Sequence, residues 1–293
     1  MADKAWAGTT YGSGLMHKWL IRVLKWMDVR MLYIFAAIFI VPVCLLLNKS
    51  CGIIYRYFRH RHKYGRLKSS WMTYVNHCMF SQVVIDRFAM YAGKRFRIEI
   101  DGYDYFESLA KQPSGFIQLS SHIGNYEIAG YSLVAEDKPF NALVFFGEKE
   151  SVMRNRNQMF SDTNIRMISV KEDMSHLFLI DNAITQGEIV SMPADRIFGS
   201  SKSIDVNLLG NVASFPMGPF SVATMRSLDV LSVNVMKESC MTYKIYVKPL
   251  HYDKNLPRKQ QIAQLVTKYV EELEHMLKLY PAQWYNFFEF WKS

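Results

Sequence analysis

Two side chains able to move a proton stand five residues apart in FIQLSSHIGNYEIAGY, residues 116–131: His122 and Glu127. On one continuous helix, residues five apart point about 140° away from each other, because each residue turns about 100°. If His122 instead lies in the loop before the helix, Glu127 can fold back onto the imidazole. The carboxylate then fixes the tautomer and stabilises imidazolium, and the other ring nitrogen takes a proton from a hydroxyl or an amine. Such a dyad has no nucleophile of its own. Ser120 and Ser121 adjoin His122, but neither sits in a G-x-S-x-G elbow, so the substrate is expected to bring the nucleophile. From spacing alone, a His with a Glu five residues later is usually coincidence; the surrounding elements have to decide.

Those elements are those of an α/β protein. Phe116, Ile117 and Leu119 form an apolar run that reads as a buried strand, and the pattern becomes helical around Glu127 after a Gly-Asn pair. His122 is thus expected at a strand-to-helix junction, where open α/β sheets bind ligands and the first helical turn offers unpaired N–H groups. Strand-like FRIEI (96–100) turns at Asp101-Gly102 into a short helix at 103–111. Beyond the central motif come strand 142–146, a helix near 149–160, strand 165–170, helix 174–186 and strand 188–192. In residues 193–226 the Pro and Gly positions mark turns, and PMGPF opens a helix, SVATMR. Strands 228–236 and 242–250 read as an antiparallel pair. A long helix over 257–279 and an aromatic tail, YPAQWYNFFEFW, close the chain; the tail is too aromatic to be left in water. The expected fold is a mixed or largely parallel sheet flanked by helices.

The N-terminal part has another character. Leu15, Trp19, Leu20, Val23 and Leu24 share a helical face opposite Lys18, Arg22 and Lys25, the pattern of an interfacial helix. Residues 31–47, MLYIFAAIFIVPVCLLL, contain no charge; these 17 residues are the lower limit for about 30 Å of hydrocarbon. Pro42 is a kink point, which leaves spanning and monotopic insertion both open. Residues 55–68 alternate aromatics with Arg56, Arg59, Arg61, Lys63, Arg66 and Lys68, which suits anionic headgroups on a cytoplasmic side. A periodic stretch from 70 to 92 is one more helix. The division expected is membrane-anchoring and interfacial helices over 1–92 and an α/β domain over 93–293.

Composition agrees with a protein that meets lipid. Half of the 293 residues are hydrophobic, aromatics are 14%, methionines number 17 and the net charge is +9. Such a charge suits an anionic membrane or an acidic carrier protein. Nucleic acid is the weakest partner, because the basic cluster sits beside an apolar anchor and no binding motif is present. Cys44, Cys51, Cys78 and Cys240 show neither a C-x-x-C pair nor zinc spacing and read as free thiols. No metal cluster and no Gly-rich nucleotide loop is found, and a removable signal peptide is not expected.

Together these pieces resemble the late acyltransferases of lipid A biosynthesis, a branch of the lysophospholipid acyltransferase superfamily. The resemblance rests on the apolar anchor, the H-x-x-x-x-E box as SHIGNYE, the PADR segment at 193–196, LLGNVASFPMGPFSVA and the terminal YPAQWYNFFEFW, in that order. It implies a membrane-bound enzyme that moves a fatty acyl chain from a thioester to a hydroxyl or amine of a lipid. His122 would be the general base and Glu127 its partner. Arg196 is the candidate for binding the oxyanion or an acceptor phosphate, with an ion pair to Asp195 as the plain alternative. Arg154 and Arg156 are further candidates for that role. Asn125 either bonds substrate or caps a helix, and Asp195 and Gly218 belong to candidate substrate loops. The box carries Glu where glycerolipid acyltransferases have Asp, and FPMGPF only partly echoes their F-P-E-G-T-R segment, which favours the lipid A-like branch. Acyl carrier protein is favoured over coenzyme A as donor, with no cofactor besides the thioester, at the cytoplasmic face of a bacterial inner membrane. Two other functions share the same site: a lipid- or carrier-binding protein without catalysis, and a thioesterase or lipid hydrolase.

Overall fold

The computed structural model describes residues 14–48, 50–128, 132–135, 137–145, 163–171, 173–197 and 202–291. Seven strands form one mixed sheet: β1 (Arg97–Asp101), β2 (Phe116–Ser120), β3 (Phe140–Phe145), β4 (Ile165–Val170), β5 (Ile189–Pro193), β8 (Asp229–Lys237) and β9 (Thr242–Pro249). Their order across it is β1-β9-β8-β2-β5-β3-β4. β8, β2, β5, β3 and β4 run parallel; β9 is antiparallel to β8, and β1 is parallel to β9. The expected antiparallel pair near the end of the chain is therefore β8 and β9.

β2 explains why the sheet is covered on both faces. Phe116 joins a core with Phe106 of α6 (Tyr103–Ala110) and with Leu231, Val233 and Ile245. Ile117 and Leu119, on the other face, join Ile180 of α7 (His176–Thr185), Phe220 of α8 (Gly218–Met225) and Leu265, Tyr269 and Leu273 of α9 (Arg258–Leu279). A near-continuous apolar strand is what two-sided burial requires.

β6 (Ser203–Leu208) and β7 (Asn211–Pro216) form a separate antiparallel hairpin where only turns were expected. Its two-residue loop has Leu209 and Gly210 both at positive φ, 51° and 80°, the geometry whose twist matches a hairpin. Leucine in the first of those positions disguises the turn. Arg154 and Arg156, and the helix expected near 149–160, lie outside the described residues.

At the N-terminus, α1 (Gly14–Trp26) precedes an apolar helical run, Val29–Leu47, of 19 residues and mean hydropathy 2.4. At 1.5 Å per residue it is about 28 Å long, enough by length and composition to cross a membrane. Asp28 caps it by accepting the Arg30 N–H. The run consists of α2 (Val29–Phe35), a π-helical turn (Ala36–Ile40) and α3 (Val41–Leu47). The π turn explains how Pro42 is accommodated. The Val41 N–H reaches back to the Ala36 carbonyl, so the next bond in that pattern would join Ala37 to residue 42, whose ring carries no N–H. The Tyr74 hydroxyl of α5 (Arg66–Tyr91) donates to the Ala37 carbonyl instead, at 3.1 Å. Between the run and α5 lies α4 (Cys51–Arg56), which places Ile54 in the main core.

α5 joins this apolar run to the sheet. Asn76 donates to the carbonyls of Ala282 and Trp284 in the tail, Arg87 pairs with Glu127 just beyond β2, and Asp86 binds Lys237 at the end of β8. Its residues 76–87 therefore lie along the carboxyl ends of β8 and β2. The tail packs on the core: Trp284, Tyr285 and Phe290 are buried.

Candidate active site

The register of the sheet brings the central side chains together. Ser120 of β2 stands opposite Pro193 of β5, and the Ala194 N–H donates to the Ser120 carbonyl at 2.9 Å. His122 and Asp195 each lie two residues beyond that matched pair, at the carboxyl ends of adjacent parallel strands. The connection after β2 leads toward β3 and β4, while β5 leads through the β6–β7 hairpin to β8 on the far side of β2. Diverging connections of this kind open the crevice in which α/β sheets bind ligands.

Asp195 holds His122 twice. Its Oδ1 is 2.7 Å from the ring Nδ1, and its Oδ2 accepts the His122 backbone N–H at 2.9 Å. The carboxylate is wholly buried and the imidazole 17% exposed. Burial alone would raise the Asp195 carboxyl; His122, through charge and hydrogen bonds, and the neighbouring Arg196 guanidinium together hold it below the usual carboxylate range. Burial lowers the His122 pKa, and Arg196 pushes the same way against the attraction of Asp195. The resting state is thus a neutral imidazole beside an ionised carboxylate. A carboxylate can only accept, so Nδ1 carries the hydrogen and Nε2 presents a lone pair.

This corrects the expectation for Glu127. The carboxylate on Nδ1 belongs to Asp195, whereas Glu127 pairs with Arg87 of α5 at 2.9 Å. The chain after Asn125 makes a 3₁₀ turn over Tyr126–Ile128, with the Tyr126 ring edge-on to His122. Asn125 is also reassigned: its side chain is buried and donates to the Tyr243 hydroxyl at 3.4 Å, and its backbone N–H donates to the Val235 carbonyl. Its carbonyl accepts the Ile128 N–H, so it stands at the start of the 3₁₀ turn.

Arg196 donates from Nη2 to the Tyr285 carbonyl at 2.9 Å and lies over the Phe288 ring, which ties the PADR segment to the tail. Gly218 is the first residue of α8, with open space where a Cβ would stand. Ser121 donates to Asn234. Among the described residues no cluster of three or more His, Cys, Asp or Glu is placed to hold a metal.

Gly124 is not among the candidate site residues of the sequence, and the tail is expected there only to leave water, yet both set the position of His122. Gly124 has φ +56°, forms a bridge to Val235 and donates its N–H to the Gln283 carbonyl. A Cβ there would lie 1.8 Å from the Val235 carbonyl oxygen. Gln283 in turn exchanges hydrogen bonds with both backbone groups of Lys237, and Ile123 bridges to Trp284. Gly124→Ala therefore combines a left-handed backbone with a clash against backbone. It is expected to cost roughly 2–5 kcal/mol, seen as a lower melting temperature together with loss of activity. A stability within error of wild type would show that the loop is held differently.

A comparison with curated proteins gives no match. Among solved structures, a likeness to the 1-acyl-sn-glycerophosphate (LPA) acyltransferase PlsC from Thermotoga maritima covers 92% of this chain and 100% of that one. Its identity of 15% and TM-score of 0.41 are too low to bear on the chemistry. The model of the bacterial lipid A biosynthesis acyltransferase family matches residues 82–293, a stretch that begins within α5 and contains His122, Asp195, Arg196 and the tail. The chain belongs to that family and is an acyltransferase of lipid biosynthesis.

Proposed function

We propose that His122 is the general base of acyl transfer and that Asp195 orients it. The single observation carrying this reading is the Asp195 carboxylate 2.7 Å from Nδ1, which leaves Nε2 as the proton acceptor. An acceptor hydroxyl or amine gives its proton to Nε2 as it attacks the thioester carbonyl. The tetrahedral oxyanion collapses, the carbon–sulfur bond breaks, and the imidazolium returns the proton to the departing sulfur. The products are the acylated lipid and the free thiol. Arg196, next in sequence to Asp195 and braced by the tail, is the group we assign to the oxyanion or to an acceptor phosphate. Arg87 and Glu127 brace the loop from α5. The chemistry asks for no cofactor beyond the thioester.

Acyl carrier protein is the favoured donor, because a chain of net charge +9 attracts an acidic partner; coenzyme A is the other arm of the test. The enzyme is assigned to the cytoplasmic face of the inner membrane. The apolar run is only 22% buried, and basic residues from Arg56 to Lys68, suited to anionic headgroups, follow it in sequence. Arg61 lies over Trp291 of the tail and Arg56 pairs with Glu289, so this basic segment is joined to the tail.

The test gives purified protein, and its His122→Gln form, acyl-carrier and acyl-coenzyme A thioesters with total membrane lipid, and reads the lipids by mass spectrometry. A new acylated lipid made only by wild type is expected, and it names acceptor and donor together. Free fatty acid alone would make the protein a thioesterase. No His122-dependent product with either donor would favour a binding role and remove the mechanism.

A further inference from the structure

We infer that the start of α7, residues 174–179, is a second contact with the bilayer, placed across the catalytic cleft from the apolar helix. The inference rests on the membrane reading above and goes beyond it by assigning a surface outside the anchor.

The parallel strands all point their carboxyl ends the same way, so the segments that leave them are ordered along one end of the sheet. Lys237 at the end of β8 is bonded to Tyr33 of α2 and Asp86 of α5, which puts the anchor there. His122 comes after β2, and Asp195 after β5. Ile197, two residues further, is exposed. After β4 the chain enters α7. Neighbouring strands are about 4.8 Å apart, so β8 and β4, four spacings apart, flank the cleft across about 19 Å.

The residues that α7 presents at this end are large and apolar. Phe178 is 82% exposed, Leu179 54% and Met174 49%, with Leu177 close behind. They do not spill out of the core: Ile180, Ala183 and Ile184 of the same helix fill the inner face. The outward side changes character along the helix, from Leu177, Phe178 and Leu179 in the first turn to Asp181, Asn182, Thr185 and Gln186 beyond. A helix in water gains nothing from that gradient, whereas one whose tip enters a bilayer meets hydrocarbon first and headgroups afterwards. Exposed Lys171 stands beside the tip, suited to an anionic headgroup.

The tip is also held at a cost. Met174 has φ +61°, a left-handed conformation unusual for a bulky residue, and it begins the turn in which its carbonyl accepts the Leu177 N–H. Asp173 accepts the Ser175 N–H and the His176 ring accepts the Lys171 N–H, which fix the turn from both sides. A strained, internally braced apolar knob beside an active site points to a binding surface. The occupant is the lipid surface, because the knob and the anchor lie at the same end of the sheet with the catalytic pair between them. Together they would seat the cleft on the bilayer in which its lipid substrate resides.

The test incorporates p-benzoylphenylalanine, one position at a time, into full-length protein bound to vesicles of phosphatidylethanolamine and phosphatidylglycerol, with lipid adducts read by mass spectrometry after illumination. The positions are Phe178, Leu46 on the anchor, and Asn255, which lies next to the Lys254 that pairs with Asp229 at the opposite end of β8. Lipid adducts are expected at 178 and 46, each at least ~10-fold above 255. Adducts at 46 without any at 178 overturn the second contact and leave the anchor standing. Absence at both positions removes the membrane reading itself. With acyl carrier protein added, a crosslink from 178 to that protein in place of lipid also overturns the assignment.

Discussion

His122→Gln is expected to fold as wild type does and to lose acyl transfer by about 10²–10⁴-fold. The amide can still donate to Asp195, so the buried carboxylate is not stranded, but it cannot take a proton at pH 7. His122→Ala loses the rate equally and also stability, by about 1–3 kcal/mol, because Asp195 then keeps only the backbone N–H of residue 122 and the charge of Arg196. Asp195→Asn separates orientation from proton transfer. An asparagine at 195 keeps the backbone bond through its oxygen and turns its NH₂ toward Nδ1, which forces the hydrogen onto Nε2, the wrong tautomer for a base. A comparable inversion in a serine protease costs about 10⁴ in kcat. The measurement is kcat/KM for a defined thioester and lipid acceptor, with melting temperatures alongside. Turnover by His122→Gln above a tenth of wild type would rule His122 out as the base.

The pH dependence has a definite sign. With His122 as the proposed base, the active form would be the neutral imidazole, and burial lowers the His122 pKa below its ordinary 6.5. Activity should therefore stay flat as pH falls through 6.5 and decline only below it, as the imidazole takes up a proton. Asp195, held low, remains ionised across that range. An acid limb centred above 6.5 would mean that a different group is being titrated.

Local pattern revealed much of this molecule, and the exceptions share a cause. β2, β5, β8 and β9 showed in their apolar and β-branched runs, α9 in its 3.6-residue period, and His122 in its position after a buried strand. The partner of His122 did not show, because Asp195 lies 73 residues away and reaches the ring only through the Ser120–Pro193 register. A register between strands distant in sequence leaves no local trace. Glu127, by contrast, looked like the partner because a helix was expected from 126 onward. The 3₁₀ turn there and the pull of Arg87 on α5 gave its carboxylate another place. The alternation Ile204, Val206, Leu208 is a strand signal, disguised by Leu-Gly as an unusual hairpin turn. Lys237, one residue past the strand expected over 228–236, is buried at the end of β8.

That lysine carries the second large prediction. Its ammonium binds Asp86 and the Tyr33 hydroxyl and is surrounded by the rings of Tyr33, Phe96 and Tyr243 at 4.9, 5.5 and 4.8 Å. Asp86 also accepts from the hydroxyls of Tyr33 and Tyr243, and Tyr243 in turn accepts from Asn125 of the loop after β2. One buried cluster thus joins α2, α5, β8, β9 and the residues after His122. Burial drives both charged groups toward neutrality, Asp86 upward and Lys237 downward, while their attraction opposes it. Removing one partner exposes that penalty. Lys237→Met should lower stability by about 3–5 kcal/mol, read as a fall in melting temperature in detergent. The companion change Asp86→Asn should restore most of the loss in the double variant, because asparagine keeps an acceptor oxygen for the tyrosines without a charge to bury. Additive losses in the double-mutant cycle would show that the two residues act separately. A coupled recovery would show that the charge pair itself, more than packing around it, fastens the apolar helix to the carboxyl end of the sheet.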